Sequence, residues 1–205
     1  RTSCPNARVT SQTDAGNGFS LAGSFCLLAA PPAITDAHSR PPLVLGSTSP
    51  YRRELLSRLN IAFDVAAPYV DETPQANESP RTLALRLALA KAQAVAQQHP
   101  QAIVIGSDQV ADLAGEPLGK PGTHEKATLQ LQAMSGQTVV FQTAVAVVCA
   151  SSGFQQLDLA AVEVKFRTLD TNEIERYLQA EKPYDCAGSA KSEGLGISLL
   201  DAIVS

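Results

Sequence analysis

From Pro42 onward, apolar runs alternate with amphipathic stretches, and this pattern predicts strands and helices in turn. Strands are predicted at Leu43–Leu45, Ile61–Ala66, Ala102–Ile105, Val110–Leu113, Thr138–Cys149 and Leu157–Phe166. Helices are predicted at Pro50–Leu59, Pro80–Gln98, Thr123–Met134 and Asp170–Ala180. Strands and helices alternate early and a long hairpin follows, so we expect an α/β or α+β chain with a mixed sheet.

Residues 1–41 have a different composition, rich in Ser, Ala, Thr, Asn and Pro, with no sustained period. The stretch Phe19–Ala33, preceded by Arg1 and Arg8, has some features of a signal peptide. We favour a poorly ordered leader over an export signal, because such segments are common at chain termini. The folded body is therefore predicted to begin at Pro42.

Bulk composition narrows the classes of function. Apolar residues make up 44% of the chain and the net charge is −4, which favours a packed core and argues against a broad nucleic-acid-binding surface. No apolar run reaches the ~18 residues of a membrane span. The cysteines and histidines do not cluster along the sequence, so a zinc site is not expected. We expect a cytoplasmic protein whose cysteines are reduced thiols. The residues concerned are Cys4, Cys26, Cys149, Cys186, His38, His99 and His124.

The segment from Ser47 to Arg53 follows a predicted buried strand. Ser49 is suited to cap a helix that starts at Pro50, and Arg52 and Arg53 fall in its first turn. Cations at that end oppose the helix dipole unless an anion binds there. A phosphate site and an ordinary capped helix with solvent-facing arginines are equally compatible with this pattern.

Acidic residues form a second set of candidates. Gly106-Ser107-Asp108 is predicted to end the strand that begins at Ala102, and ligands bind at such strand ends in α/β sheets. Asp108 could bind a metal or accept a proton from water, or it could cap a turn. Asp71 and Glu72 could supply a hard-cation ligand or form a solvated loop.

Lysines and a late loop complete the candidates. Lys91 falls on or beside the apolar stripe of the long helix, so it must extend to solvent or meet an anion. Lys120 lies between glycines that allow close backbone approach, although Pro121 breaks the order of a Walker A loop. The small residues around Lys191 and Glu193 fit either the wall of a ligand site or a solvent turn.

The order of these motifs resembles the Maf-like nucleotide pyrophosphatases. The motifs are S-T-S-P-Y-R-R, V-D-E-T-P, a lysine in the long helix, G-S-D-Q, L-G-K-P and C-A-G-S-x-K-S-E-G-x-G, across residues 42–200. The resemblance implies a long twisted mixed sheet flanked by helices, with two lobes around a central cleft, and often a homodimer. It also implies cleavage between the α- and β-phosphates of a nucleoside triphosphate with Mg²⁺ or Mn²⁺.

The resemblance further implies a role for each matching residue. Asp108 matches the proton acceptor, and we expect it to bind the metal together with Glu72. The residues expected to contact substrate phosphates are Ser47, Arg52, Lys91 and Lys120. A leader at residues 1–41 has no counterpart in the family. The family usually continues with a further segment and a final helix, so the domain at residues 42–205 is expected to be truncated.

The family divides by substrate, and three positions favour one branch. Tyr51, Gln109 and Glu193 are similar to the branch that acts on 7-methyl-GTP. N7-methylation makes guanine cationic, which suits an aromatic face, and a carboxylate can accept hydrogen bonds from guanine N–H groups. The alternatives are a dTTP and UTP pyrophosphatase of the same family, and a nucleotide-binding regulator of cell division without catalysis.

Overall fold

The computed structural model describes residues 40–205, so the prediction of a leader falls almost wholly outside the described residues. The described part of the chain contains seven strands: β1 Leu43–Gly46, β2 Asp64–Ala66, β3 Ile103–Leu113, β4 Glu116–Leu118, β5 Thr138–Cys149, β6 Phe154–Phe166 and β7 Leu200–Val204. The α-helices of residues 40–205 are α1 Pro50–Ser57, α2 Pro80–Gln98, α3 His124–Met134 and α4 Thr171–Glu181. Short 3₁₀ turns occur at Ala150–Ser152, Ala187–Ser189 and Leu195–Leu199.

The strands form one mixed sheet in the order β2-β1-β3-β5-β6-β7, with β4 paired to β3. β1 is parallel to β2 and β3, whereas β3, β5, β6 and β7 follow one another antiparallel. The predicted α/β chain with a long mixed sheet flanked by helices is therefore confirmed.

On one edge of β3, the residues between Gly106 and Ala111 pair with neither β1 nor β4, and we call this gap the notch. β1 pairs with β3 as far as Gly46 opposite Gly106, and β4 pairs with the same strand from Ala111 onward, with Leu118 as the partner. The other edge of β3 pairs with β5 as far as Asp112. The chain leaves both β1 and β4 at the notch, so the segments after Gly46 and Leu118 converge beside β3.

Two hydrophobic cores lie on opposite faces of the sheet. One packs α2 against β1, β3 and β5, and it includes Leu87, Val104, Val110 and Ala146. The other packs α3 and α4 against the opposite ends of β3, β5 and β6, and it includes Ala111, Leu131, Val139, Phe166 and Leu178. Since Val110 and Ala111 are consecutive in β3, they point to opposite faces.

α2 shows how the sequence pattern positions a charged residue. Ser79 caps the helix by accepting the N–H of Thr82, and Pro80 is the first helical residue, as predicted. The buried face of α2 includes Lys91 among leucines, alanines and valines. Among residues 40–205, no helix is long and apolar enough to cross a membrane.

The prediction that a strand ends at Gly106-Ser107-Asp108 is wrong. β3 runs without interruption to Leu113, because β5 pairs with it along this whole length. Gly106 serves the packing of α2 instead of a turn. A Cβ atom there would lie 2.4 Å from the Ala88 carbonyl oxygen and 2.5 Å from the Ala92 nitrogen. Asp108 therefore projects from the middle of a long strand, beside the notch.

Candidate active site

The N-terminus of α1 lies on one side of the notch. Ser47, directly after β1, is buried, and its Oγ accepts the N–H of Ser49 at 3.2 Å and a weaker contact from Arg52 Nη1 at 3.5 Å. Ser49 caps α1 by accepting the N–H of Arg52. Arg52 thus points back toward Ser47 and the end of β1, whereas Arg53 is exposed. This geometry suits the binding of an anion at the N-terminus of α1.

Lys91 bridges two carboxylates at the centre of the site. Its Nζ lies 2.6 Å from Asp108 Oδ1 and 2.6 Å from Glu72 Oε1. Lys91 and Asp108 are only 6% and 7% exposed, so their charges are buried and depend on each other. Of the two alternatives predicted for Lys91, extension to solvent or contact with an anion, the structure shows the second. The loop at residues 71–78 and strand β3 are joined through this one ammonium.

The pKa values reflect this burial and charge. Burial raises the pKa of the Asp108 carboxyl above its ordinary value, although Lys91 and Arg52 act in the opposite direction. Burial would also raise the pKa of Glu72, but Lys91, Lys120 and Arg52 outweigh it and lower that pKa. Desolvation lowers the pKa of Arg52, opposed by the charges of Asp108 and Glu72. A carboxylate that is more basic than usual is suited to accept a proton.

A separate ion pair fixes the loop that carries Glu72. Arg86 on α2 donates to both carboxylate oxygens of Glu78, from Nε at 2.6 Å and from Nη2 at 2.8 Å. The same Nη2 donates to the carbonyl of Thr73 at 3.1 Å. Glu78 also accepts the N–H of Gln75 at 3.0 Å. These contacts, which the sequence analysis did not find, hold the residue next to Glu72 against α2.

Lys120 approaches from the other side of the notch. It follows β4 by two residues and is exposed, and its charge contributes to lowering the pKa of Glu72. The structure therefore brings together the six residues predicted for phosphate and metal binding. They are Ser47, Arg52, Glu72, Lys91, Asp108 and Lys120.

A second group of side chains lies around Tyr51, which directly precedes Arg52 in the first turn of α1. The thiol of Cys186 lies 4.0 Å from the Tyr51 hydroxyl, and Lys191 Nζ lies 5.2 Å from the centre of its ring. Glu193 is exposed, and its negative charge contributes to raising the pKa of Cys186, after burial and Asp185. The predicted specificity residues Tyr51 and Glu193 therefore belong to one region, which we call the base end.

Gln109 lies on the other face of β3 from Asp108, because consecutive strand residues alternate. That face is the one on which the late loop packs, since Gly188 lies against Ala111. The side-chain amide of Gln109 donates to Thr143 Oγ1 on β5 at 2.9 Å. The structure thus places Gln109 on the face of the late loop, held by β5, and apart from the charged cluster of Asp108.

The donor set of the charged cluster fits a hard divalent cation. Glu72 and Asp108 offer carboxylate oxygens that converge on one positive centre, at present the ammonium of Lys91. No group of three or more His, Cys, Asp and Glu side chains that could hold a metal is found in residues 40–205. Mg²⁺ commonly uses one or two carboxylates and completes its shell with substrate phosphates and water. The residues present therefore suit Mg²⁺ or Mn²⁺ bound together with a phosphate ligand.

Comparison with known proteins identifies relatives of this chain. A 7-methyl-GTP pyrophosphatase from a Polaromonas species is 73% identical over 162 residues, and the match covers 79% of this chain and 74% of the relative. One of the same name from Albidiferax ferrireducens is 67% identical, covering 78% and 81%. Another from Xanthomonas axonopodis pv. citri is 60% identical, covering 80% and 85%.

A solved structure of a HAM1 protein from Coxiella burnetii also resembles the chain, with a TM-score of 0.40 and 16% identity. It covers 62% of this chain, which in turn covers 73% of that structure. The family model described as Maf-like protein matches residues 42–205, the whole of the predicted folded body. The chain is therefore a member of the Maf-like protein family.

Proposed function

We propose that this chain hydrolyses 7-methyl-GTP to 7-methyl-GMP and diphosphate. The observation that carries the proposal is the notch beside β3, where Asp108 and Glu72 meet Lys91 next to Arg52. The names of relatives that are 60–73% identical support the choice of substrate. Tyr51 and Glu193 at the base end support it as well, since an aromatic face and a carboxylate suit a cationic purine.

In this mechanism the protein contributes mainly position and charge. The triphosphate lies across the N-terminus of α1, where Ser47, Arg52 and Lys120 contact its oxygens. Asp108 accepts a proton from a water molecule whose oxygen forms a bond to the α-phosphorus. The bond between that phosphorus and the α-β bridging oxygen breaks, and diphosphate leaves with the bonding electron pair.

Lys91 supports this reaction in two ways. It pairs with buried Asp108 and with the more exposed Glu72, and its charge offsets negative charge on the leaving diphosphate. Glu72 and Asp108 would hold Mg²⁺ or Mn²⁺, which supplies charge neutralisation of the phosphate oxygens when bound. The homodimer and the cytoplasmic location stay predictions.

The test is a panel of 7-methyl-GTP, GTP, UTP and dTTP, assayed for diphosphate release by the full chain with Mg²⁺, with Mn²⁺ and with excess EDTA. We expect the highest kcat/KM with 7-methyl-GTP and loss of release in EDTA. Preference for UTP or dTTP would assign the chain to the pyrimidine branch. Tight nucleotide binding without release of diphosphate would favour a non-catalytic regulator.

A further inference from the structure

Lys191 occupies one face of the aromatic ring at the base end. Its Nζ lies 5.2 Å from the centre of the Tyr51 ring, within the range of a cation–π contact. Tyr51 is only partly exposed, and its hydroxyl contacts Cys186 at 4.0 Å. A base that stacks on this face of Tyr51 meets the ammonium of Lys191 first.

The ammonium has a second partner that holds it at this place. Glu181 Oε1 lies 3.1 Å from Lys191 Nζ, and the other oxygen of Glu181 accepts the N–H of Leu195 at 2.8 Å. Glu181 stands at the end of α4, so it fixes both the ammonium and the loop that follows it. If Lys191 leaves the ring, its charge can remain paired with Glu181.

The backbone of Lys191 is fixed, so only the side chain is free to move. Its N–H donates to the Tyr177 hydroxyl at 3.1 Å, and its carbonyl accepts the N–H groups of Gly194 and Gly196. A Cβ atom at Gly196 would lie 2.4 Å from that carbonyl oxygen. The loop is therefore closed tightly around Lys191, whose flexible stem can still swing the ammonium off the ring.

We propose that Lys191 is an internal ligand of the Tyr51 ring, and that a nucleobase binds by taking its place. The proposal rests on the proposed function in so far as Tyr51 is the face for the base. A cationic N7-methylated purine restores the charge–ring attraction that is lost when Lys191 leaves, whereas a neutral base does not. Lys191 therefore weakens the binding of every base to a similar extent, and a cationic base remains the tighter ligand because it regains the attraction to the Tyr51 ring.

The experiment compares Lys191→Gln with the wild-type chain by NMR titration with 7-methylguanosine and with guanosine. Nucleosides are used because they lack phosphates, whose affinity also depends on lysine charges. If a base must displace Lys191 from the Tyr51 ring, both nucleosides should bind about fivefold more tightly to Lys191→Gln, because neither has to displace an ammonium there. Lys191→Met, which keeps an unbranched stem, is the second variant and should give the same gain.

Two controls separate displacement of Lys191 by the base from a general effect of charge. Lys191→Arg keeps a cation beside the ring and should bind both nucleosides as the wild type does. Lys165→Gln removes an exposed lysine elsewhere on the sheet and should have no effect. Tighter binding of 7-methylguanosine alone to Lys191→Gln, or no tighter binding of either nucleoside, would overturn the proposal that the base displaces Lys191. Diphosphate release by the wild type is measured separately, so failure of the proposed function is recognised independently.

Discussion

The charged cluster and the base end are built from different kinds of structure. Asp108 and Lys91 project from a long strand and a long helix, and both side chains are buried. At the base end, Lys191 and Glu193 lie on a loop, and Glu193 is exposed. In the charged cluster, one misplaced atom leaves a buried charge without its partner. At the base end, side chains can change partners at low cost.

Under the proposed function, this difference separates two tasks: the charged cluster serves the reaction, and the base end serves the choice of substrate. Proton transfer and charge neutralisation need groups held by regular structure, which α2 and β3 provide. Recognition of one base among several is more easily adjusted on loops. We therefore expect substitutions in the charged cluster to abolish turnover, and substitutions at the base end to alter selectivity while turnover persists.

The largest expected effect is that of Asp108→Asn. If Asp108 accepts the proton from water, turnover of 7-methyl-GTP should fall about 100-fold or more. The measurement is the initial rate of diphosphate release. Asp112→Asn is the matched control, because Asp112 lies on the same face of β3 but accepts the N–H of Gly115 in the hairpin turn. Near-normal turnover in Asp108→Asn would remove the assigned role.

The next effect is on stability. Gly106→Ala should lower the free energy of unfolding by about 2 kcal/mol, because the new methyl group meets the backbone of α2. Urea unfolding measures this difference. Gly119→Ala is the control, since a Cβ atom there meets nothing within 4 Å and its φ is not in the left-handed region. Equal stability of the two variants would mean that α2 does not pack closely on β3.

A smaller effect is expected at the base end. Tyr51→Leu should reduce the ratio of kcat/KM for 7-methyl-GTP to that for GTP by about fivefold, the size of one exposed cation–π contact. Tyr51→Phe keeps the ring and should keep the ratio. Since both substrates carry the same triphosphate, the ratio cancels changes in phosphate binding. A Tyr51→Leu variant with the wild-type ratio would show that the base does not use this face.

The smallest effect concerns acid stability. Arg86 and the N–H of Gln75 lower the pKa of Glu78 from 4.5 to about 2. Because the folded-state pKa is lowered, the stabilisation is complete above pH 4.5 and is lost as the pH falls through about 2. Wild type should therefore be slightly more stable than Glu78→Gln at pH 6, and the difference should narrow between pH 4.5 and 2.

Urea unfolding of both proteins at pH 6, 4 and 3 checks this prediction. Glu54→Gln is the control, because its ion pair with Arg58 is exposed on both sides and should contribute little at any pH. A difference between wild type and Glu78→Gln that stays constant from pH 6 down to pH 3 would contradict the lowered pKa.

Local patterns in the sequence predicted most of the elements and much of the site. Ser49 and Pro50 start α1 as their capping chemistry indicates, and the apolar stripe of α2 places Lys91 in the interior. The pattern left open whether Lys91 extends to solvent or meets an anion, and only the folded chain shows its contacts with Asp108 and Glu72. The roles of the individual residues in binding and catalysis stay predictions.

Other features depend on contacts between distant parts of the chain. Gly106 looks like the end of a strand in the sequence, but close packing of α2 and pairing with β5 explain it. The contact between Tyr51 and Lys191 joins residues that no local period connects. Arg86 and Glu78 could have been noticed as opposite charges at the start of α2, although only the folded loop shows what they hold.

β3 contributes to both hydrophobic cores, with Val110 in one and Ala111 in the other. The same strand carries Asp108 and Gln109 on its two faces. The spacing between the charged cluster and the late-loop face is consequently set by the pleat of a single strand, without a hinge between them. Inserting or deleting one residue in this strand would exchange its two faces and thereby swap the environments of acid and amide.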